Sequence, residues 1–210
     1  MSINTTLNYS PNFSPLKRNK KKIKFIIFHY TGIKKESEAI DRLTDIQSEV
    51  SSHYLIKNDG KIIRLVPDLY IAWHAGKSQW KHYSSLNKYS IGIEISNPGH
   101  QFNYKNFSKK QINSLLRLSK ILIKEYKIHP KNILGHSDIA PNRKKDPGEK
   151  FPWKYLSKKK IGLWHDIKDQ KLISNRGLKI DNISYGFFLD NLFKIGYSKK
   201  IPKNITKHRY

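Results

Sequence analysis

The 210-residue sequence predicts an α/β fold: a central mixed β-sheet flanked by helices, with a short helical C-terminal extension. Two apolar runs rich in β-branched and aromatic residues, KIKFIIFHYT (22–31) and YSIGIEIS (89–96), are typical of strands buried on both faces of a sheet. A long stretch with helical apolar spacing follows the second run. Strand, helix, hairpin, strand, helix and strand in this order favour a sheet with helices packed on it.

The elements between the two apolar strands are a helix, a hairpin and a loop. Apolar residues recur at helical spacing from Glu36 to Val50, which predicts an amphipathic helix. HYLIKNDGKIIRLVP (53–67) predicts two short strands that turn at Asn-Asp-Gly. Residues 68–90 follow neither period, and a loop of this length in a compact domain is usually functional.

The second half of the chain begins with its clearest helix, which starts at Ser108 with Gln111 as the capping-box partner. Pro130 prevents the helix from continuing, and NILGHSDI predicts a strand that ends near His136. A last helix is predicted over residues 183–195, and Gly196 is placed to end it.

These elements predict three segments. Residues 1–22 contain Asn, Ser, Pro and the basic run KRNKKK without apolar periodicity, so we expect a flexible basic leader. Residues 23–165 form the main domain, and residues 166–210 form the helical extension.

The charge and the residues that are missing restrict the function. The 41 Lys and Arg against 16 Asp and Glu give a net charge of +25, which attracts anionic polymers. No recognition motif accompanies the charge, so a solvated basic surface is favoured over a nucleic-acid-binding face. With no cysteine, any metal must bind to His and carboxylates. No signal-peptide pattern and no transmembrane run are apparent, so a cytoplasmic location is the default, and export by another route stays open.

Three residues fit a catalytic zinc site. Such sites take three His, Asp or Glu ligands and leave a fourth position for water. His29 and His136 each lie where a predicted buried strand ends, and Asp146 lies in the loop APNRKKDPGEKFPW. Each residue alone has an ordinary structural explanation, a hydrogen-bonded histidine or a turn-forming aspartate. Their combination favours the metal.

Two more residues near these ligands carry chemistry. Glu94 places a carboxylate between Ile93 and Ile95, and burying it costs free energy unless it is paired or used. It is either a general base or a salt-bridged core residue. Lys144 stands two residues before Asp146, where its cation can stabilise an oxyanion, although within the run RKK the residues alone favour a solvated basic loop.

Several segments, in this order, resemble the zinc-dependent N-acetylmuramoyl-L-alanine amidases of type 2, which are related to peptidoglycan recognition proteins. The resemblance covers roughly residues 23–165, so it identifies this stretch as a zinc amidase catalytic domain. The segments are FHYT, VSSHYLI, AWHAG, SIGIEI and LGHSDIAPNRKKDPGEKFPW. The tail FFLDNLFKIGYSKKIP also resembles the start of a small peptidoglycan-binding domain, which leads us to expect a truncated form of this domain.

The resemblance implies hydrolysis of the amide between N-acetylmuramic acid and L-alanine, with one Zn²⁺ per chain. It implies metal ligation by the three residues named above, with Glu94 as proton acceptor and Lys144 stabilising the transition state. The residues that it places along the substrate groove are Tyr30, His53, Trp73 and His74.

Two other functions stay open on the sequence alone. One is a non-catalytic peptidoglycan-binding module, which the intact set of three ligands disfavours. The other is a basic nucleic-acid-binding protein. The sequence does not distinguish intact peptidoglycan from 1,6-anhydro muropeptides as substrate, and it does not determine the stem-peptide preference or the oligomeric state.

Overall fold

The computed structural model describes residues 4–168, 170–171, 174 and 181–198. Its longest strands are β3 and β9, at the middle of the main sheet. The strands are β1 (Thr6–Leu7), β2 (Phe13–Ser14), β3 (Phe25–Tyr30), β4 (Tyr54–Ile56), β5 (Ile62–Arg64), β6 (Ile71–Ala72), β7 (Gln79–Trp80), β8 (Tyr83–Ser84), β9 (Ser90–Ile95) and β10 (Ile133–Gly135). The helices are α1 (Glu36–Thr44), α2 (Lys109–Tyr126), α3 (His136–Ile139), α4 (Trp153–Ser157) and α5 (Asn182–Ile195).

The main sheet has six strands in the order β1-β5-β4-β9-β3-β10. β4 and β5 pair antiparallel, and the other neighbours pair parallel. This is the mixed sheet that the sequence predicts. The register sets His29 of β3 opposite Glu94 of β9, so both side chains project from the same face of the sheet.

Different elements pack against the two faces of the sheet. On one face Phe28 and Ile93 join a buried apolar cluster with Leu115 and Leu118 of α2. On the other face Phe25 and Ile27 pack with residues of the long 68–90 loop and of α3, among them Trp80, Leu86 and Ile139. His29 continues the second set because side chains alternate along a strand. The loop, rather than α2, therefore covers the face that carries His29.

Most of the predicted elements are confirmed. The hairpin of β4 and β5 turns through Gly60, whose φ of 84° favours glycine. Helix α2 begins with the predicted capping box, in which Ser108 Oγ accepts from Gln111 N and Gln111 Oε1 accepts from Ser108 N. Helix α5 ends at Gly196, whose N–H donates to Leu192 O.

One predicted boundary is wrong. The first helix ends at Thr44, because the Asp45 side chain accepts from Gln47 N and starts a separate 3₁₀ turn. Ile46, expected on the buried face, is 63% exposed. The strand predicted to end near His136 does so, at Gly135, and His136 is the first residue of α3.

Residues 4–22 do not form a detached leader. β1 pairs with β5, and β2 pairs with β6. Asn12 and Arg18 are only 1% and 6% exposed. Arg18 Nη1 donates to Asn87 O at 2.9 Å, and its Nε and Nη2 donate to Asp68 O. The segment lacks apolar periodicity because polar side chains, rather than an apolar stripe, attach it to the domain.

The described end of the C-terminal extension also contacts the main domain. Lys81 N donates to Gly196 O at 2.6 Å, and Tyr197 OH donates to Asp138 Oδ1 at 2.7 Å. Residues 169, 172–173, 175–180 and 199–210 of the predicted extension lie outside the described residues. Among the described helices, none combines the length and the apolar character needed to cross a membrane.

Candidate active site

Two histidines meet at one edge of the sheet. His29 is the fifth residue of β3, and His136 directly follows β10, the parallel neighbour of β3. The carboxyl ends of parallel strands meet at one edge, which is where sites form in open α/β sheets. Both side chains are buried. The strand order therefore brings together two residues that lie 107 positions apart in the sequence.

The third residue of the cluster comes from a loop. Asp146 follows α3, and the Asp146–Pro147 peptide bond is cis. Ser137 N donates to the backbone O of Asp146 at 2.9 Å, which ties this loop to the start of α3. Asp146 is consequently buried beside both histidines.

The side-chain atoms of the three residues form a small triangle. His29 Nδ1 lies 2.9 Å from His136 Nδ1, and each lies 3.0 Å from Asp146 Oδ2. An ionised carboxylate oxygen and an unprotonated ring nitrogen only accept hydrogen bonds, whereas a protonated ring nitrogen only donates. At least one of the three contacts therefore joins two acceptors or two donors. A cation bound by all three atoms removes this conflict, so the donor set fits a metal.

The protonation states agree with metal binding. His136 Nε2 lies 3.2 Å from Ala75 O, which can only accept, and 3.4 Å from Arg143 Nη2, which can only donate. The shorter contact favours the proton on Nε2, which leaves the lone pair on Nδ1. Burial, with the neighbouring His136 ring adding to it, lowers the pKa of His29 to about 4 and keeps this ring neutral. Burial alone raises the pKa of Asp146, but its contacts with His136 and His29 outweigh burial and lower the pKa.

Glu94 lies next to this triangle and lacks a partner. Its Oε2 is buried and has no hydrogen bond within the described part of the chain. Burial, with the charge of Asp146 adding to it, raises the pKa of Glu94 to about 8, and Lys144 partly offsets the rise. No salt bridge to Glu94 occurs among the described residues, so the structure does not support the alternative of a salt-bridged core glutamate.

An open cavity of about 750 Å³ adjoins the cluster. Lys144 lines it, as does Tyr30, whose OH lies 2.8 Å from His100 Nδ1. Trp73 lines the same cavity, and its Nε1 donates to Ser14 Oγ at 3.4 Å. The structure thus brings Glu94, Lys144, Tyr30 and Trp73 to one cavity beside the predicted metal ligands.

The two other predicted groove residues are placed differently. His74 touches the cavity but is only 8% exposed, and its Nδ1 lies 3.0 Å from His29 Nε2. His53 is fully buried and does not line the cavity. Gly92 N donates to His53 Nδ1, and Arg18 Nη2 lies 3.0 Å from His53 Nε2. This position corrects the expectation that His53 lines the groove, because the ring lies beneath the loop that His74 belongs to.

Two further residues support the site but were not predicted from the sequence. Asn87 Oδ1 accepts from the backbone N of His74 at 3.1 Å and of Ala75 at 2.7 Å. Arg143 donates to Ala75 O, and its Nη2 donates to Lys77 O at 2.8 Å. Both hold the loop that covers the two histidines. Arg143 directly precedes the segment KKDPG, but Asn87 has no such signal, since the partners of both side chains are backbone atoms without a residue pattern.

Comparisons with known proteins agree with this geometry. The amidase AmiD of Escherichia coli is 43% identical over 159 residues, which are 70% of this chain and 56% of the relative. The 1,6-anhydro-N-acetylmuramyl-L-alanine amidase AmpD of the same organism is 41% identical over 104 residues, 50% of this chain and 55% of the relative. The chain thus spans little more than half the length of these relatives.

A solved structure has the same fold. The complex of Escherichia coli AmiD with anhydro-N-acetylmuramic acid-L-Ala-D-gamma-Glu-L-Lys superposes with a TM-score of 0.75 and 37% identity. The match covers 86% of this chain and 74% of that one. The family model described as N-acetylmuramoyl-L-alanine amidase matches residues 19–149, more than half of the chain. The chain therefore belongs to the N-acetylmuramoyl-L-alanine amidase family.

Proposed function

We propose that this chain hydrolyses the amide bond between N-acetylmuramic acid, or its 1,6-anhydro form, and L-alanine, with one Zn²⁺ held by His29, His136 and Asp146. The observation that carries the proposal is the triangle of ligand atoms 2.9–3.0 Å apart beside an unpaired, buried Glu94 oxygen. Relatives that share the fold are named for this reaction, and AmiD was solved with an anhydro-muropeptide.

Zinc suits this set of donors because it favours imidazole nitrogen and carboxylate oxygen, and catalytic sites typically have three such ligands. When bound, it supplies a Lewis acid for the carbonyl oxygen and a positive charge that favours the ionised form of Glu94. The two imidazoles stay neutral, and the carboxylate of Asp146 balances part of the charge.

Glu94 accepts the proton of the attacking water. Its carboxylate reaches the cavity next to the metal ligands. Burial increases the proton affinity of this carboxylate, and the charge of a bound zinc would keep it ionised and able to accept a proton. The same side chain then holds this proton close to the leaving nitrogen of L-alanine. Lys144 lies on the cavity wall beside Asp146, where its ammonium group stabilises negative charge on the carbonyl oxygen.

The cavity suits a peptide-bearing sugar. Its volume of about 750 Å³ lies within the range of about 300–1,000 Å³ that is usual for ligand sites. Tyr30 and Trp73 offer aromatic surface for the sugar and the lactyl group, while Arg42, Arg143 and Lys145 supply positive charge for the carboxylates of a stem peptide. The substrate is therefore proposed as peptidoglycan or a muropeptide derived from it. The cytoplasmic location and the glycan-binding origin of the extension stay predictions from the sequence.

Mass spectrometry of reaction products tests the proposal. The purified chain is incubated with peptidoglycan sacculi and, separately, with an anhydro-muropeptide, with and without a chelator. We expect peptides with a free N-terminal L-alanine, loss of this product with the chelator, and its return when zinc is added back. The ratio of the two rates identifies the preferred substrate.

Three results count against the proposal. Product formation that withstands complete zinc removal contradicts the metal site. Binding of sacculi without cleavage identifies a peptidoglycan-binding module. Salt-sensitive binding of nucleic acid, with neither cleavage nor sacculus binding, identifies a nucleic-acid-binding protein.

A further inference from the structure

A chain of hydrogen bonds runs from the proposed metal ligand His29 into the core. His29 Nε2 lies 3.0 Å from His74 Nδ1, and His74 Nε2 lies 3.1 Å from Ser90 Oγ. Ser90 Oγ in turn lies 2.6 Å from the backbone O of Leu86. His29, His74 and Ser90 are all buried. Each ring therefore depends on its neighbour in the chain for its polar contacts.

The contact between Ser90 and Leu86, at the end of this series of hydrogen bonds, determines the position of every proton in it. The carbonyl O of Leu86 can only accept, so the single hydroxyl proton of Ser90 points to it. Ser90 Oγ is then left as an acceptor, and the proton between it and His74 belongs to His74 Nε2. A neutral His74 consequently accepts at Nδ1, and the proton of His29 lies on Nε2. His29 Nδ1 is left with a free lone pair, directed at His136 and Asp146.

The position of the His74 ring is determined from two sides. Asn87 Oδ1 accepts from the backbone N of His74 at 3.1 Å. Gly92 of β9 lies under the ring, and a Cβ at this position would come within 2.4 Å of His74 Cγ. Any side chain larger than hydrogen at residue 92 must therefore displace the imidazole from this position, in which it contacts His29. This close approach explains the glycine in the IGIE segment.

We propose that His74 and Ser90 are positioning residues that hold His29 in the tautomer whose Nδ1 binds the metal, and that Gly92 provides the space for this contact. This inference rests on the proposed metal site. It assigns His74 to the support of a ligand, in place of the substrate contact expected from the sequence. Partners of this kind orient the metal-binding ring and raise its basicity.

Zinc affinity, measured by competition with a chelator of known affinity, tests the role of His74. His74→Ala is expected to weaken zinc binding about 10- to 100-fold, the range usual for such partners. His74→Asn is expected to recover most of the loss, because the amide Oδ1 lies as many bonds from Cβ as His Nδ1 and accepts the same hydrogen bond. His82→Ala, which removes an exposed histidine of the β7–β8 turn, is the matched control.

Gly92→Ala tests the close approach without changing a polar group. We expect it to weaken zinc binding by a factor similar to that of His74→Ala. Gly186→Ala is its control, because a Cβ at Gly186 meets no atom within 4 Å. Zinc affinities of His74→Ala and Gly92→Ala equal to that of the unchanged protein would overturn the proposal.

Nitrogen NMR of the histidine rings gives a second readout that a merely structural role would not change. In the metal-free protein His29 is expected to carry its proton on Nε2. Ser90→Ala, which removes only one oxygen, is expected to let both His74 tautomers form and to move part of the His29 proton to Nδ1. This variant keeps the test valid if His74→Ala fails to fold.

The two proposals fail in different ways. If the unchanged protein binds no zinc, the proposed function is wrong, while the tautomer of His29 still tests the role of His74. If the unchanged protein binds zinc but His29 is protonated on Nδ1 in the metal-free state, the positioning role is wrong and the proposed function stands.

Discussion

Two buried carboxylate clusters of this chain differ in how their hydrogen bonds are satisfied. Asp68 accepts at Oδ1 from Tyr54 OH at 2.6 Å and from Arg64 Nη2 at 3.3 Å, and at Oδ2 from Tyr126 OH at 2.8 Å. Both of its oxygens thus have donors. In the cluster of His29, His136, Asp146 and Glu94, three polar atoms lie within 3.0 Å of one another, and a buried Glu94 oxygen has no hydrogen-bond partner among the described residues.

This difference separates a structural role from a chemical one. A satisfied buried carboxylate stabilises the packing of its neighbours, because removing a partner leaves a buried group unpaired. A cluster with unsatisfied polar atoms lowers the stability of the metal-free protein, and binding of a metal offsets this loss. We therefore expect mutations around Asp68 to change stability, and mutations around Asp146 to change metal binding and turnover.

The largest effect is expected from the same substitution made in both clusters. Asp146→Asn replaces a carboxylate ligand by a neutral amide, which zinc binds poorly, so zinc affinity should fall by more than about 100-fold, with loss of amidase activity. Asp68→Asn is the control and should retain one zinc per chain. Metal analysis after dialysis measures both. Equal zinc contents in the two variants would remove the distinction between the clusters.

The next effect concerns turnover alone. Glu94→Gln keeps the shape of the side chain but cannot accept a proton, so kcat should fall by about 10²–10⁴ while zinc affinity changes little. Steady-state kinetics on an anhydro-muropeptide, with the zinc content of the same sample, checks this. Activity within threefold of the unchanged protein would mean that another group is the base.

The cluster around Asp146 could be predicted from the sequence far better than the cluster around Asp68. His29, Glu94 and His136 each interrupt or end an apolar strand, so a polar residue stands out against a short local pattern. Asp68 lies in a loop, and its partners Tyr54 and Tyr126 are 14 and 58 positions away, so no window of sequence contains the arrangement.

Distant contacts also explain why the attachment of the segment before β3 was not predicted from the sequence. Arg18 is buried by contacts with the backbone of Asp68 and Asn87, 50 and 69 positions away, which no periodicity reveals. The core strands and α2 are predictable because burial imposes a repeat on their own residues. The placements of His53 and His74 are not predictable, since the 68–90 loop has no repeat and is held by single side chains such as Asn87.

A smaller effect is the pH dependence of stability in the metal-free protein. The pKa of Glu94 is raised to about 8, above its unfolded value, so the folded state binds more protons and stability falls as the pH rises from about 4.5 to 8. Glu94→Gln removes this dependence and should be more stable at pH 9 by on the order of 5 kcal/mol. Urea unfolding at several pH values with a chelator present measures it. A difference between the two proteins that stays constant from pH 4 to 9 would contradict the raised pKa.

The smallest effect is expected in the Asp68 cluster. Tyr126→Phe removes one donor from Asp68 Oδ2 and leaves Tyr54 and Arg64 in place at Oδ1, so the free energy of unfolding should fall by about 1 kcal/mol. Zinc affinity and kcat should stay within twofold, because no atom of this cluster reaches the cavity. Tyr155→Phe, at a residue 45% exposed, is the control for loss of a tyrosine hydroxyl and should change neither quantity. If Tyr126→Phe instead weakened zinc binding, the two clusters would be coupled through α2 and the sheet, and the assignment of Asp68 to structure alone would have to be given up.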